Sequence, residues 1–229
     1  MKFKYILTIF MTLIIVFDLI TGDFPELISL LFSNPAVFFP LAFLLLYSLI
    51  LAQAAQVWVA NRLGDPTGKG LGRLSLDPRK HFDPAGFLAL LIFRYGWVKP
   101  VAINYSNIKE IRKRLLFIHG SGIAVNLLIG LISTLLWLHF WEYEFSNLLL
   151  SQLAKTNIAL AAVNLIPIPP FDGAKILMGL APNRGQYFFA KLQPYGTFLI
   201  VGLILFGVSH ELVNPFWSIF TDFIASLIA

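Results

Sequence analysis

Apolar residues in this chain gather in long runs instead of alternating with polar ones. Runs over 5–20, 37–60, 115–138, 148–166 and 195–208 each approach the length a helix needs to cross a hydrocarbon core, about 20 residues. The first and the last are the shortest. Two weaker stretches remain: 85–94 is too short to cross as a straight helix, and 213–228 reads as a short span, a re-entrant helix or an interfacial one. The pattern predicts an all-α polytopic membrane protein with about five to six spans, forming one membrane domain over 1–229 with no soluble insertion.

Composition agrees with the pattern. At 58% hydrophobic and 13% charged, with a mean hydropathy of +0.78, the chain has more apolar surface than a soluble domain of its size buries. Lipid is the partner those runs call for. The run at 5–20 follows Lys2 and Lys4, and no small-residue cleavage site comes after it, so it reads as an uncleaved first helix. The chain has no cysteine, which excludes disulfides, thiolate metal sites and thiolate nucleophiles.

The net charge of +5 does not point to nucleic acid, because the basic residues flank apolar runs. Arg62, Lys69, Arg73, Arg79, Lys80, Lys99 and the cluster from Lys109 to Arg114 fall in connections that alternate onto one side. Glu142 and Glu144 fall on the other. By the positive-inside rule the first set faces the cytoplasm, as does the N-terminus, in a bacterial-type cytoplasmic membrane.

Three polar clusters interrupt the apolar runs. Gln53 and Gln56, three apart, share a helix face and must find partners, since hydrocarbon offers none. Taken alone they are interhelical polar glue. Gly120 to Asn126 gives a helix small residues that permit close approach, with Asn126 able to hydrogen-bond across a bundle. Asn157 and Asn164 precede Pro167-Ile168-Pro169-Pro170-Phe171-Asp172-Gly173, where prolines break the helix and a glycine allows a tight turn. A carboxylate in such a segment is a functional-site candidate, with helix capping as its structural alternative.

With these residues in view, the sequence resembles the site-2 protease family of intramembrane zinc metalloproteases, peptidase family M50, in its short bacterial branch without a PDZ domain. The likeness covers about 40–210. It runs through Val59-Ala60-Asn61-Arg62-Leu63-Gly64-Asp65-Pro66-Thr67, Gly72-Arg73-Leu74-Ser75-Leu76-Asp77-Pro78, His81-Phe82-Asp83-Pro84-Ala85-Gly86, Gly96-Trp97-Val98-Lys99-Pro100-Val101, Gly122 to Asn126, and Asn157 to Gly173. The resemblance implies a helix bundle with a small membrane-associated strand region between 70 and 100. It also implies peptide-bond hydrolysis by a zinc held on an H-E-x-x-H helix and a later aspartate.

The chain departs from the family at that helix. Ala52, Gln53 and Gln56 stand where the family has histidine, glutamate and histidine; Asp172 keeps the third ligand position. An alanine ligates nothing, and a glutamine offers a neutral amide oxygen where the family has an imidazole or a base. Of the histidines, His81 is the nearest in sequence but matches a loop position that is not a ligand, and His119, His139 and His210 read as interface residues. The retained frame and lost ligands together predict a noncatalytic member that binds transmembrane segments of client proteins. Asn126, Asn157 and Asn164 are candidates for its groove, and it needs no cofactor. Two alternatives stay open: an active zinc metalloprotease, either the parent of an altered sequence or one using unrecognised ligands, and a small transporter or channel.

Overall fold

The computed structural model describes residues 30, 33–84, 98, 99, 101–196 and 209–228. The expected spans at 5–20 and 195–208 and the weak stretch at 85–94 lie wholly or almost wholly outside the described residues. Among those described, three helices are long and apolar enough to cross a membrane: α1 (Pro35–Arg62), α4 (Ile111–Phe140) and α5 (Glu144–Leu165). At 1.5 Å per residue they are roughly 33 to 45 Å long, enough for a core about 30 Å thick.

Each long helix starts or stops for a local reason. Asn34 caps α1, its side chain accepting from the Val37 amide at 3.3 Å, and Pro35 follows at the first helical position, where a missing N–H costs nothing. Beyond Arg62 the chain turns through Gly64, whose φ of +112° strains any residue with a Cβ. Helix α5 ends at Leu165 before the proline-rich break, and α6 (Asp172–Leu180) begins after it. The three predicted spans at 37–60, 115–138 and 148–166 therefore correspond to α1, α4 and α5, each a few residues longer than its apolar run. Lys155, inside the α5 run, is exposed on the helix surface.

Helix α4 is the central element, packing against α1, α5 and α6. Leu41, Leu45 and Leu49 of α1 meet Leu153 and Leu160 of α5, and Ile123, Ile176 and Ala161 join α4, α6 and α5. The outer surface carries large apolar side chains such as Phe43, Phe117 and Leu128, which are over half exposed, as lipid-facing positions should be. Helix α8 (Ser209–Ile228) sets Phe216, Trp217 and Phe220 against Ala162, Val163 and Ile166 of α5. It contains the stretch at 213–228 but is not among the three helices with spanning length and hydropathy.

Both ends of the bundle are tied by hydrogen bonds. At the basic end Arg114 donates to the Leu63 carbonyl at 3.1 Å, joining the start of α4 to the end of α1. Asp65, almost fully buried in the connection after α1, accepts from the Thr67 amide and hydroxyl, the Asn107 side chain and the Asn104 amide. Burial acts to raise its pKa, but these four donors outweigh it and hold the carboxyl below its usual range. At the opposite end Asn147 accepts from the Trp137 indole at 3.0 Å and donates to the Trp141 carbonyl, closing the turn between α4 and α5 beside Glu142 and Glu144.

The expected strand region is corrected in part. Its first half, 70–84, contains no strand: after α2 (Thr67–Gly70) comes a turn and then α3 (Pro78–His81), capped by Asp77, which accepts from the Arg79 amide at 3.1 Å. Pro78 seeds that helical turn and the positive φ of Gly72 bends the chain before it, both of which break an extended ladder. The remainder, 85–97, lies outside the described residues.

Candidate functional site

The polar clusters meet where α1, α4 and α6 come together, about two helical turns below the basic end. Asp172 opens α6, yet its side chain makes no capping bond. Instead Oδ2 accepts from the Gln56 amide at 2.6 Å, and Oδ1 lies 2.9 Å from His119 Nδ1 and 3.3 Å from the Lys175 ammonium. The capping alternative for Asp172 is therefore set aside. Gly173 matters for approach, not for a turn: a Cβ there would run into the Leu165 and Ile166 carbonyls, so the start of α6 nests against the end of α5 only with glycine.

His119 is wholly buried in the third turn of α4, and both its ring nitrogens are engaged. Nε2 lies 3.0 Å from the Tyr105 hydroxyl, so the arrangement that satisfies every group has Tyr105 donating to Nε2 and Nδ1–H donating to Asp172. Burial, and after it the charge of Asp172, push the Tyr105 phenol up to about 12, so it remains a donor at neutral pH. The result is a chain of contacts, Tyr105 to His119 to Asp172 to Gln56, across three helices and a loop. Lys175, one turn along α6 from Asp172, supplies the positive charge.

Close packing makes the junction possible. Gln56 lies over Gly122, where any Cβ would collide with its amide. The Gln56 and Asn126 side-chain oxygens are buried without a hydrogen-bond partner among the described residues. Of the residues singled out from sequence, Gln56 and Asp172 are thus brought into contact, with Ala52 buried one turn before Gln56. Gln53 is half-buried and is not among the partners of Asp172. Asn157 and Asn164 donate back to the carbonyls of Leu153 and Leu160 on their own helix, each at 2.9 Å. His81 is buried in its loop with Nε2 2.7 Å from the Ser75 carbonyl, and burial lowers its pKa.

The expectation for His119 as an interface residue is corrected: it is a central member of the cluster. A signal was present, since 119, 122 and 126 share one helix face, which places His119 with Gly122 and Asn126. Lys175 too had a signal, three residues from Asp172 on the same helix, whereas Tyr105 had none, its place depending on how the loop before α4 folds back. His139 is exposed at the far end of α4, against the Phe140 ring.

The described fold is that of an all-α membrane protein, and comparison with known proteins gives its family. The family model for peptidase family M50 matches residues 26–207. The chain belongs to peptidase family M50. It is similar to YwhC of Bacillus subtilis (strain 168), provisionally named a zinc metalloprotease, with 33% identity over 171 residues, covering 71% of this chain and 77% of that one. It is also similar to the zinc metalloprotease Rip1 of Mycobacterium tuberculosis (strain H37Rv), 35% identical over 97 residues, which cover 35% of this chain and 22% of Rip1. The same zinc metalloprotease of Mycobacterium bovis matches at 34% over 97 residues. No solved structure gives a significant match.

Proposed function

We propose that this protein is a noncatalytic member of the family, which holds transmembrane segments of other proteins without cutting them. The observation that carries the reading is how the junction uses its polar groups. A catalytic zinc takes three protein ligands of nitrogen, oxygen or sulfur and keeps one position open for water. Here Ala52 has no donor atom, Gln56 turns its amide N–H toward Asp172, and both oxygens of Asp172 are engaged, Oδ2 with Gln56 and Oδ1 with His119 and the Lys175 ammonium that balances its charge. His119 has neither nitrogen free, with Tyr105 on one side and Asp172 on the other. These residues do not fit a catalytic zinc.

The base is missing independently of the metal. In hydrolysis of this kind a carboxylate takes the proton released as water attacks, and Gln53 carries no charge to receive it. The frame around the junction is retained, with buried side-chain oxygens on Gln56 and Asn126 able to accept from an extended backbone entering between helices. That combination supports binding in place of cleavage.

The test uses defined single-span peptides in nanodiscs and a photoreactive amino acid at position 53, which makes no hydrogen bond that substitution would break. The reading expects adducts with intact peptides, absent when the photoreactive group sits at Leu128 on the lipid-facing surface. Cleaved peptides, or equal labelling from both positions, would contradict it.

A further inference from the structure

The short helix α7 (Asn183–Leu192) and the turn after it, Gln193–Tyr195, lie outside the junction and outside the three spanning candidates. One side of α7 packs inward, where Phe189 lines a small pocket with Pro169, Phe171, Ala174 and Met178. The other side presents Arg184, Tyr187, Phe188, Lys191 and Tyr195, all exposed. Those positions follow the helical repeat, so they form one stripe in which cations and aromatic rings alternate. Tyr187 and Phe188 are 64% and 58% exposed, and the Lys191 ammonium stands 4.6 Å over the Tyr187 ring.

The level of the stripe along the bundle is fixed by contacts. Arg112, at the charged start of α4, donates to the Ala181 carbonyl just before α7, and a Cβ on Gly179 would strike the Arg112 carbonyl. The junction of α6 and α7 is therefore level with the place where α4 passes from Arg112, Lys113 and Arg114 into its apolar run. The end of α1 lies at the same level through the bond from Arg114 to Leu63, and there Arg62 stacks 5.2 Å over the exposed ring of Trp58. A second cation and aromatic pair thus marks the same plane.

We infer that α7 lies in the membrane interface at the basic end, with Tyr187, Phe188 and Tyr195 at the boundary of headgroup and acyl chain and Arg184 and Lys191 binding the headgroups of anionic phospholipids. Aromatic rings with a polar edge or a nearby cation settle at that depth, and guanidinium and ammonium groups beside them pair with lipid phosphates. A water-facing stripe would leave three large rings uncovered, and a stripe facing the hydrocarbon centre would strand two cations. Anionic lipid satisfies both halves.

The chain has no cysteine, so single cysteines can carry a nitroxide label without a background. Labels at Phe188, at Leu128 on the apolar surface of α4 and at Ser106 in the exposed loop are compared in nanodiscs for collision with oxygen and with a water-soluble nickel chelate. The inference expects Phe188 to fall between the other two. It also expects Arg184→Gln with Lys191→Gln to lower retention of phosphatidylglycerol relative to phosphatidylcholine by about thirtyfold, from roughly 1 kcal/mol per basic residue at such a surface. A label at Phe188 as open to the chelate as that at Ser106 overturns it. So does a label there shielded from both reagents, which would mean that a protein surface covers the stripe, or an unchanged lipid preference in the double variant.

Discussion

Asp172 has a charged side chain beside spanning helices, so its hydrogen bonds weigh more than the neutral ones around it. A polar contact between membrane helices contributes about 0.6 kcal/mol on average, whereas removing one partner of a buried charge pair costs roughly 3 to 5 kcal/mol. Asp172→Ala should therefore destabilise the protein in detergent by about 3 kcal/mol, because Gln56, His119 and the Lys175 ammonium lose their shared acceptor. Gln53→Ala should change stability by less than about 0.5 kcal/mol, since no such bond depends on it. Thermal unfolding of the two variants checks both, and equal losses would contradict the assignment. Asp65 gives a pH test outside the membrane. Its carboxyl is held below the ordinary value, so its stabilisation is complete above about pH 4 and fades as the pH falls through its folded value. The Tm gap between the native chain and Asp65→Ala should be constant from pH 7 to about 5 and narrow in stronger acid; a gap that widens in acid would reverse the sign. Contact between Asp172 and Gln56 was legible because an alignment of motifs pairs those positions. The parts played by His119 and Lys175 could be read only from helical spacing, and that of Tyr105 only from the fold.

Helices α1, α4 and α5 were legible because each apolar run is long and has charged or proline-rich ends. The strand expected between 70 and 100 was inferred from family likeness, not from local pattern; in 70–84 the sequence itself, with Gly72 at positive φ and Pro78 opening a helical turn, sets a turn and helix instead. Close approach between elements leaves a sharper mark. Gly122 has no room for a side chain beside Gln56, so Gly122→Leu should separate α4 from α1 and destabilise by about 2 kcal/mol or more, while Gly120→Ala, with open space around it, should be neutral or slightly stabilising. Unfolding in a detergent series distinguishes them. The ends of α4 carry opposite charge, with Arg112, Lys113 and Arg114 at one and Glu142 just beyond the other, and the orientation expected from the positive-inside rule has the basic end in the cytoplasm. A cysteine at Ser106 should then resist an impermeant thiol reagent in intact cells while one at Glu142 reacts. The reverse pattern would invert the orientation.

At the scale of the whole molecule, membership of peptidase family M50 and the polar junction at Asp172 pull in different directions: the family is one of peptidases, while the side chains that meet at Asp172 are engaged with one another, which is what the proposed noncatalytic role rests on. The frame was readable from many separate motifs in order, and the replacements from three positions on one helix. The way His119 and Tyr105 join Asp172 was not, because those residues lie on separate elements that come together only through folding. The account predicts that restoring the three positions restores the metal: Ala52→His with Gln53→Glu and Gln56→His should take up one zinc per chain, since Asp172 already lies beside position 56. The most direct test of the central claim is the metal content of the purified native chain by mass spectrometry, run beside a cleavage assay on single-span peptides in liposomes. The account predicts no stoichiometric zinc and no chelator-sensitive cleavage; one tightly held zinc per native chain together with such cleavage would contradict it.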